Sequence, residues 1–205
     1  MKYKVVLKGT GSYSQSKFFT STKKDGETPN EFEARCWREK AHVDKDGFVV
    51  VPVFSLKAAL DYAASYLGLP VPGGGGKRTF AKLFRSAVRP QSSMPHLLIG
   101  GKKTKIAEAH GEWINANSDG RRGSGKRVPR CFPLWQDWSC VLEFDVLDSR
   151  VTKEIFLSHL AAAGVYTGIG RFRPENGGSH GCFSVWYADK EIEPPAVELP
   201  ESNED

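Results

Sequence analysis

No apolar run in this sequence comes near the ~18 residues needed to cross a bilayer. The stretch MKYKVVLKG has neither the longer apolar core nor the cleavage site of a signal peptide. The expectation is a cytoplasmic protein with no membrane partner. Cysteine is scarce: Cys36, Cys131, Cys140 and Cys182 include no close pair of the kind zinc sites use, and nothing suggests an oxidising compartment. They are expected to be reduced, buried small hydrophobes. The histidines, His42, His96, His110, His159 and His180, lack H-E-x-x-H or H-x-E-x-H spacing, so neither a metal nor another cofactor is expected. GGGGKRT is not a P-loop, because Val71 and Arg78 stand where glycine and Ser or Thr are required. No two acids are placed as a general acid and base; Glu31, Glu33 and Glu39 read as the polar side of a solvated helix.

What the chain does have is enough apolar residues, 40% of 205, to bury a core. It also has a divided charge. Residues 189–205 hold seven acids and one lysine, so a chain-wide +5 places +11 on residues 1–188. The positive charge is clustered: Lys77, Arg78, Lys82, Arg85 and Arg89 lie in 73–90 without an acid, Lys102 and Lys103 lie in GGKKTK, and Arg121, Arg122, Lys126, Arg127 and Arg130 lie in DGRRGSGKRVPR. One such cluster is compatible with a solvated surface; three of them, two beside glycines, point to a polyanion.

Period-two alternation marks strands over 2–9 and 139–147, and CFSVWY (182–187) reads as a last strand. The run GFVVVPVF is β-like until Pro52. Three helices are predicted besides a short one at 30–40 with Asn30 and Glu33 in capping-box spacing. The first runs from Ser55 as N-cap to Gly68 as stop. The second presents Phe80, Leu83, Phe84, Ala87 and Val88 on one side and Arg78, Lys82, Arg85 and Arg89 on the other. The third has Thr152 as N-cap and is closed by Gly164. The order reads βαββαβ, so the fold class is α+β, a ferredoxin-like (RRM-like) core with a basic β-hairpin insertion and helical insertions. One domain over 1–188 is expected, with insertions at about 20–46 and 70–135. In such a core residues 2–9 pair with 139–147 on one side and with 182–187 on the other.

The segment from Pro52 through Ser55, Leu56 and Lys57, followed much later by TGIGRFRPENGGSHG with Gly168, Gly170, Arg171, Arg173, Gly177, Gly178 and Gly181, resembles the RAMP superfamily of CRISPR-associated proteins. The resemblance covers about half of the chain and lacks a tandem second domain. It implies a single-core protein like the backbone subunits of that superfamily, or a mobile-element relative outside a CRISPR locus. Glycines let a main chain approach a phosphate, successive N–H groups can line an anion site, and Arg171 and Arg173 can add bidentate contacts. The other reading of the loop is a turn packed between helix and sheet. Trp113, Phe132 and Trp135 flank the basic arm 119–130, which reads as a hairpin tip, and make a candidate platform for unstacked bases; Trp138 reads as core.

The function expected is sequence-tolerant binding of single-stranded nucleic acid without catalysis, by a protein that oligomerises along the strand. The rivals are a metal-independent endoribonuclease, with His42 or His180 as general base, and an interaction protein imitating a CRISPR subunit. The acidic run 189–205, rich in proline, is expected to stay disordered and either compete for the basic surface or recruit a partner protein. Truncation after Tyr187 should therefore tighten binding of a single-stranded oligonucleotide at low ionic strength, by a margin that shrinks as salt rises. Equal affinities of the full and shortened chains in a low-salt anisotropy titration would remove the competition.

Overall fold

The computed structural model describes residues 1–74, 78–91, 94–117 and 126–195 of an α+β protein built on antiparallel sheets. In β1 (Lys2–Gly9) Tyr3, Val5 and Leu7 are buried while Lys2, Lys4 and Lys8 are exposed, as the alternation dictates. After β2 (Tyr13–Ser14), helix α1 (Pro29–Cys36) opens on Thr28, not Asn30: the Thr28 hydroxyl accepts from the Glu31 N–H and Glu31 reaches back to Thr28. Pro29 explains the shift, because proline suits the first helical position, where no N–H is needed. A 3-10 turn (Trp37–Lys40) follows. The run 47–54 is not a full strand. It holds only isolated bridges, Val43 to Val49, Phe48 to Lys105 and Val50 to His96.

Helix α2 (Val53–Leu67) starts directly after Pro52, so Ser55 is no N-cap; its hydroxyl donates to the Pro52 carbonyl at 2.7 Å. Gly68, in the left-handed conformation, ends it as expected. Then come α3 (Phe80–Ala87), β3 (Val88–Pro90), β4 (Leu98–Ile99), β5 (Lys102–Lys103) and the hairpin of β6 (His110–Asn117) with β7 (Arg127–Trp135). The last elements are β8 (Trp138–Val146), α4 (Lys153–Ala162), β9 (Phe183–Tyr187) and β10 (Lys190–Ile192). Thr152 caps α4 as predicted, but Gly164 does not close it. The chain continues through a π turn (Ala163–Thr167) to Gly168, and Gly164 instead gives way to the Phe183 carbonyl and ring, which would collide with any Cβ. The acidic run does not leave the sheet at residue 189 either, because Lys190–Ile192 pairs with Tyr187–Val185. A truncation that spares this strand falls after Pro195; 196–205 lie outside the described residues.

The large sheet has the order β10-β9-β1-β8-β4-β5, with β3 also on β8. β1 is interior: Leu7 faces Cys140 of β8 on one side and Val185 of β9 on the other, both antiparallel. The small sheet is β2-β7-β6. Only Gln136 and Asp137 separate β7 in one sheet from β8 in the other, and Asp137 takes φ 50° to make the turn. Tyr13 packs this joint, its ring centroid 6.0 Å from Trp135 and 5.1 Å from Trp138. The core lies on one face of the large sheet, where Val5, Leu7, Cys140, Phe144 and Val185 meet Leu60, Phe84 and Leu160 of the three helices. Among the described residues no helix is long and apolar enough to cross a membrane.

Within that core His159 is fully buried on α4. Its ring stacks on Phe84 at 4.4 Å and meets Phe80 edge-on at 5.6 Å. Nδ1 donates to the Ile155 carbonyl at 2.7 Å, which leaves Nε2 enclosed, with no partner among the described residues. Burial holds its pKa below the usual value of 6.5. As pH falls through 6.5 the unfolded chain takes up a proton that the folded chain refuses, so stability is lost, by at most about 1.4 kcal/mol per pH unit from this group. Urea unfolding at pH 7.5 and pH 5.0 should show that loss, and His159→Phe should reduce the difference between the two pH values; an undiminished difference would assign it to the carboxylates instead.

Candidate nucleic-acid interface

Several of the expected site residues meet in a polar seam between α1, the β6–β7 hairpin and the glycine loop. Its anchor is Glu33, which is buried and not on a solvated face as its helix pattern implied. One carboxylate oxygen takes Arg130 Nη1 at 2.6 Å; the other takes Lys40 Nζ and the Cys131 N–H, the latter at 3.1 Å. Lys40 also donates to the Cys131 carbonyl at 2.8 Å. Burial works to raise the Glu33 carboxyl, but these donors outweigh it and hold the group below its usual range. Glu31 is spent on the α1 cap, and Glu39 accepts from Ser21 Oγ at 2.7 Å.

Phe132, one residue on, carries two cations over its ring: Lys40 Nζ at 4.2 Å and Arg171 Cζ at 3.6 Å from the centroid. It is buried and already stacked, so it offers no platform to a base. Trp135 is only 2% exposed and belongs to the joint with Tyr13, which corrects the same expectation for that residue. Trp113 differs. At 48% exposure it lines a groove of about 440 Å³ between α1 and the hairpin, with Asn30, Glu31, Ala34 and Pro129.

Arg171 is a structural cation. Its side chain is 13% exposed, and Nη1 lies 3.5 Å from Glu112 Oε2. Glu112 Oε1 lies 3.6 Å from His180 Nε2, while His180 Nδ1 is enclosed without a partner among the described residues. Arg173 pairs with Glu175 at 2.6 Å and donates to the Gly170 carbonyl at 3.2 Å. The loop's main chain is equally occupied. Gly168, Ile169, Arg171, His180 and Gly181 all donate their N–H to carbonyls, of Ala163, Gly181, Ser14, Phe172 and Ser12 respectively. Within GIGRFR the N–H groups of Gly168, Ile169 and Arg171 are therefore taken up by main-chain carbonyls. Gly170 (φ 80°) is glycine because Ser14 and Tyr13 press where a side chain would be, which fits the packed-turn reading.

The remaining basic residues behave differently. Arg78, Lys82, Arg85 and Arg89 around α3, Lys102 and Lys103 of β5, and Lys126 and Arg127 at the loop end of the hairpin are exposed and, among the described residues, form no ion pair. Lys77, Arg121 and Arg122 lie outside the described residues. His42 is half-buried, its pKa lowered by burial and by Lys17, and its backbone N–H donates to Gln15 Oε1 at 2.6 Å. Missed from the sequence were Glu33 and Lys40 as a buried pair, although their spacing of seven places them on the face of Trp37, and Glu112 as the partner of Arg171. No family model matches the chain, and no curated protein does.

Removing one member of a buried ion pair leaves the other unsatisfied and costs about 3–5 kcal/mol. Glu33→Ala should lose that much in urea unfolding, while the apolar pair Glu33→Leu with Lys40→Met should recover a large part of it. A cost below about 1 kcal/mol for Glu33→Ala would show that the seam is not what ties α1 to the hairpin.

Proposed function

We propose that this protein binds single-stranded nucleic acid without catalysis and with little sequence preference, on a ferredoxin-like core of the RAMP type. The observation that carries the reading is the division of its cations. Arg35, Lys40, Lys57, Arg130, Arg150, Arg171 and Arg173 are each held by a carboxylate, whereas the basic side of α3, β5 and the loop end of the hairpin stand exposed without one among the described residues. Unpaired clustered cations repel one another, and phosphates relieve that repulsion. Trp113 adds an exposed aromatic beside the hairpin cations, suited to an unstacked base. The fold reading is supported by the strand order: β1 between β8 and β9, helices between β1 and β3 and between β8 and β9, and β3 and β4 on the far side of β8. Assembly of several copies along one strand belongs to the same proposal.

The endoribonuclease reading draws less support. A general base must present a nitrogen to the hydroxyl it deprotonates, and His180 has Nδ1 enclosed and Nε2 turned to Glu112.

The test is salt dependence. If about five phosphates are neutralised, log affinity for a labelled single-stranded oligonucleotide should fall with log salt at a slope of roughly −3.5, each contact giving about −0.7. Arg121→Ala, Arg122→Ala, Lys126→Ala and Arg127→Ala together should weaken binding and flatten the slope while the fold is kept, and so, separately, should Lys82→Ala with Arg85→Ala. A wild-type protein without measurable affinity for single-stranded RNA or DNA overturns the proposal.

A further inference from the structure

The face of the large sheet opposite the helices is uncovered, and its side chains fall into cross-strand rows set by the register. One row runs Lys103, Leu98, Ser139, Lys8, Ser184 across β5, β4, β8, β1 and β9. It holds two exposed lysines and no acid. The next row, two residues along each strand and so about 7 Å away, runs Val141, Val6, Trp186, Glu191. Val141 is exposed at 37%, and Val6 and Trp186 are half-buried. Beyond it each cation is met by an acid: Lys4 faces Glu143, and Lys2 and Arg89 flank Asp145. The positive charge on this face that meets no acid across a strand is therefore in the row that borders Val141, Val6 and Trp186, whose outer end carries Glu191.

Resting on the binding reading above, we infer that single-stranded nucleic acid lies across this open face, with Trp186 as base platform and Lys8 and Lys103 as phosphate contacts. A basic row beside Val141, Val6 and Trp186 matches a strand whose phosphates run along one side and whose unstacked bases lie on the other. Lys8 already occupies the place of the base. Its ammonium stands 3.4 Å from the centre of the Trp186 ring, and the indole N–H donates to Ser184 Oγ at 3.1 Å, which fixes the ring plane. A base that stacks on the indole displaces that ammonium and frees it for the adjoining phosphate. The cation that shields the aromatic surface in the free protein thereby becomes a phosphate ligand in the complex.

The experiment uses the full chain, labelled oligo(U) and oligo(dT), and polyglutamate of equal charge. Trp186→Leu should weaken oligonucleotide binding at least about fivefold, and Lys8→Gln with Lys103→Gln should reduce the salt slope by about 1.4, two contacts' worth. Lys2→Gln with Lys4→Gln should do neither. Photo-crosslinking of a 5-bromouracil oligonucleotide should label the peptide containing Trp186. If wild type binds and these variants bind as tightly, or if crosslinks appear only at Trp113, the placement on the sheet is wrong while nucleic-acid binding stands. Polyglutamate binding as tight as oligonucleotide would assign the face to an acidic protein partner and overturn the inference, and failure of wild type to bind either oligonucleotide overturns both readings.

Discussion

A carboxylate taken out of water must be met by hydrogen-bond donors on both oxygens, and Glu33 is the place where that requirement organises this molecule. Its three donors come from separate segments: Lys40 from the turn after α1, Arg130 and the Cys131 N–H from β7. Satisfying one buried charge thus seats α1 against the hairpin and orients Lys40 over Phe132, where Arg171 of the glycine loop also lies. Segments distant in sequence are brought together by one electrostatic demand, and Trp37 and Cys131 join the seam to the hydrophobic core. The hairpin is positioned by these contacts together with the Tyr13 joint.

The legible part of the fold was the part governed by local periodicity. β1 and β8 were visible because one face of each is buried and the other is not, and period two has no other reading there; the caps Thr152 and Gly68 were visible because each satisfies a helix end by local chemistry. Errors came where a neighbouring residue or a tertiary contact overrides a local signal. Ser55 had the side chain of a cap, but Pro52 fixed the start of α2 earlier. The run GFVVVPVF had the composition of a strand, yet its bonds go to Thr104, His42 and Pro95 in separate segments and no ladder forms.

The candidate site was legible in charge but not in partnership. Arg171 and Arg78 look equally free in a sequence; only the fold brings Glu112 to the first and leaves the second exposed. The same holds for aromatics, since Trp113, Phe132 and Trp135 lie on one hairpin but face outward, into a cation stack and into the core. In the glycine loop the packed-turn reading accounts for Gly170 and for the N–H groups of Gly168, Ile169, Arg171, His180 and Gly181, which main-chain carbonyls take up.

The joint at Gln136 and Asp137 has a mechanical meaning. With only two residues between them, β7 and β8 have no slack, and β8 is hydrogen-bonded directly to β1 in the middle of the large sheet. Nine residues of β7 extend about 30 Å from that joint. The hairpin is thus a cantilever built into the central strands without an intervening loop and braced partway along its length by the bonds of Arg130 and Cys131 to Glu33.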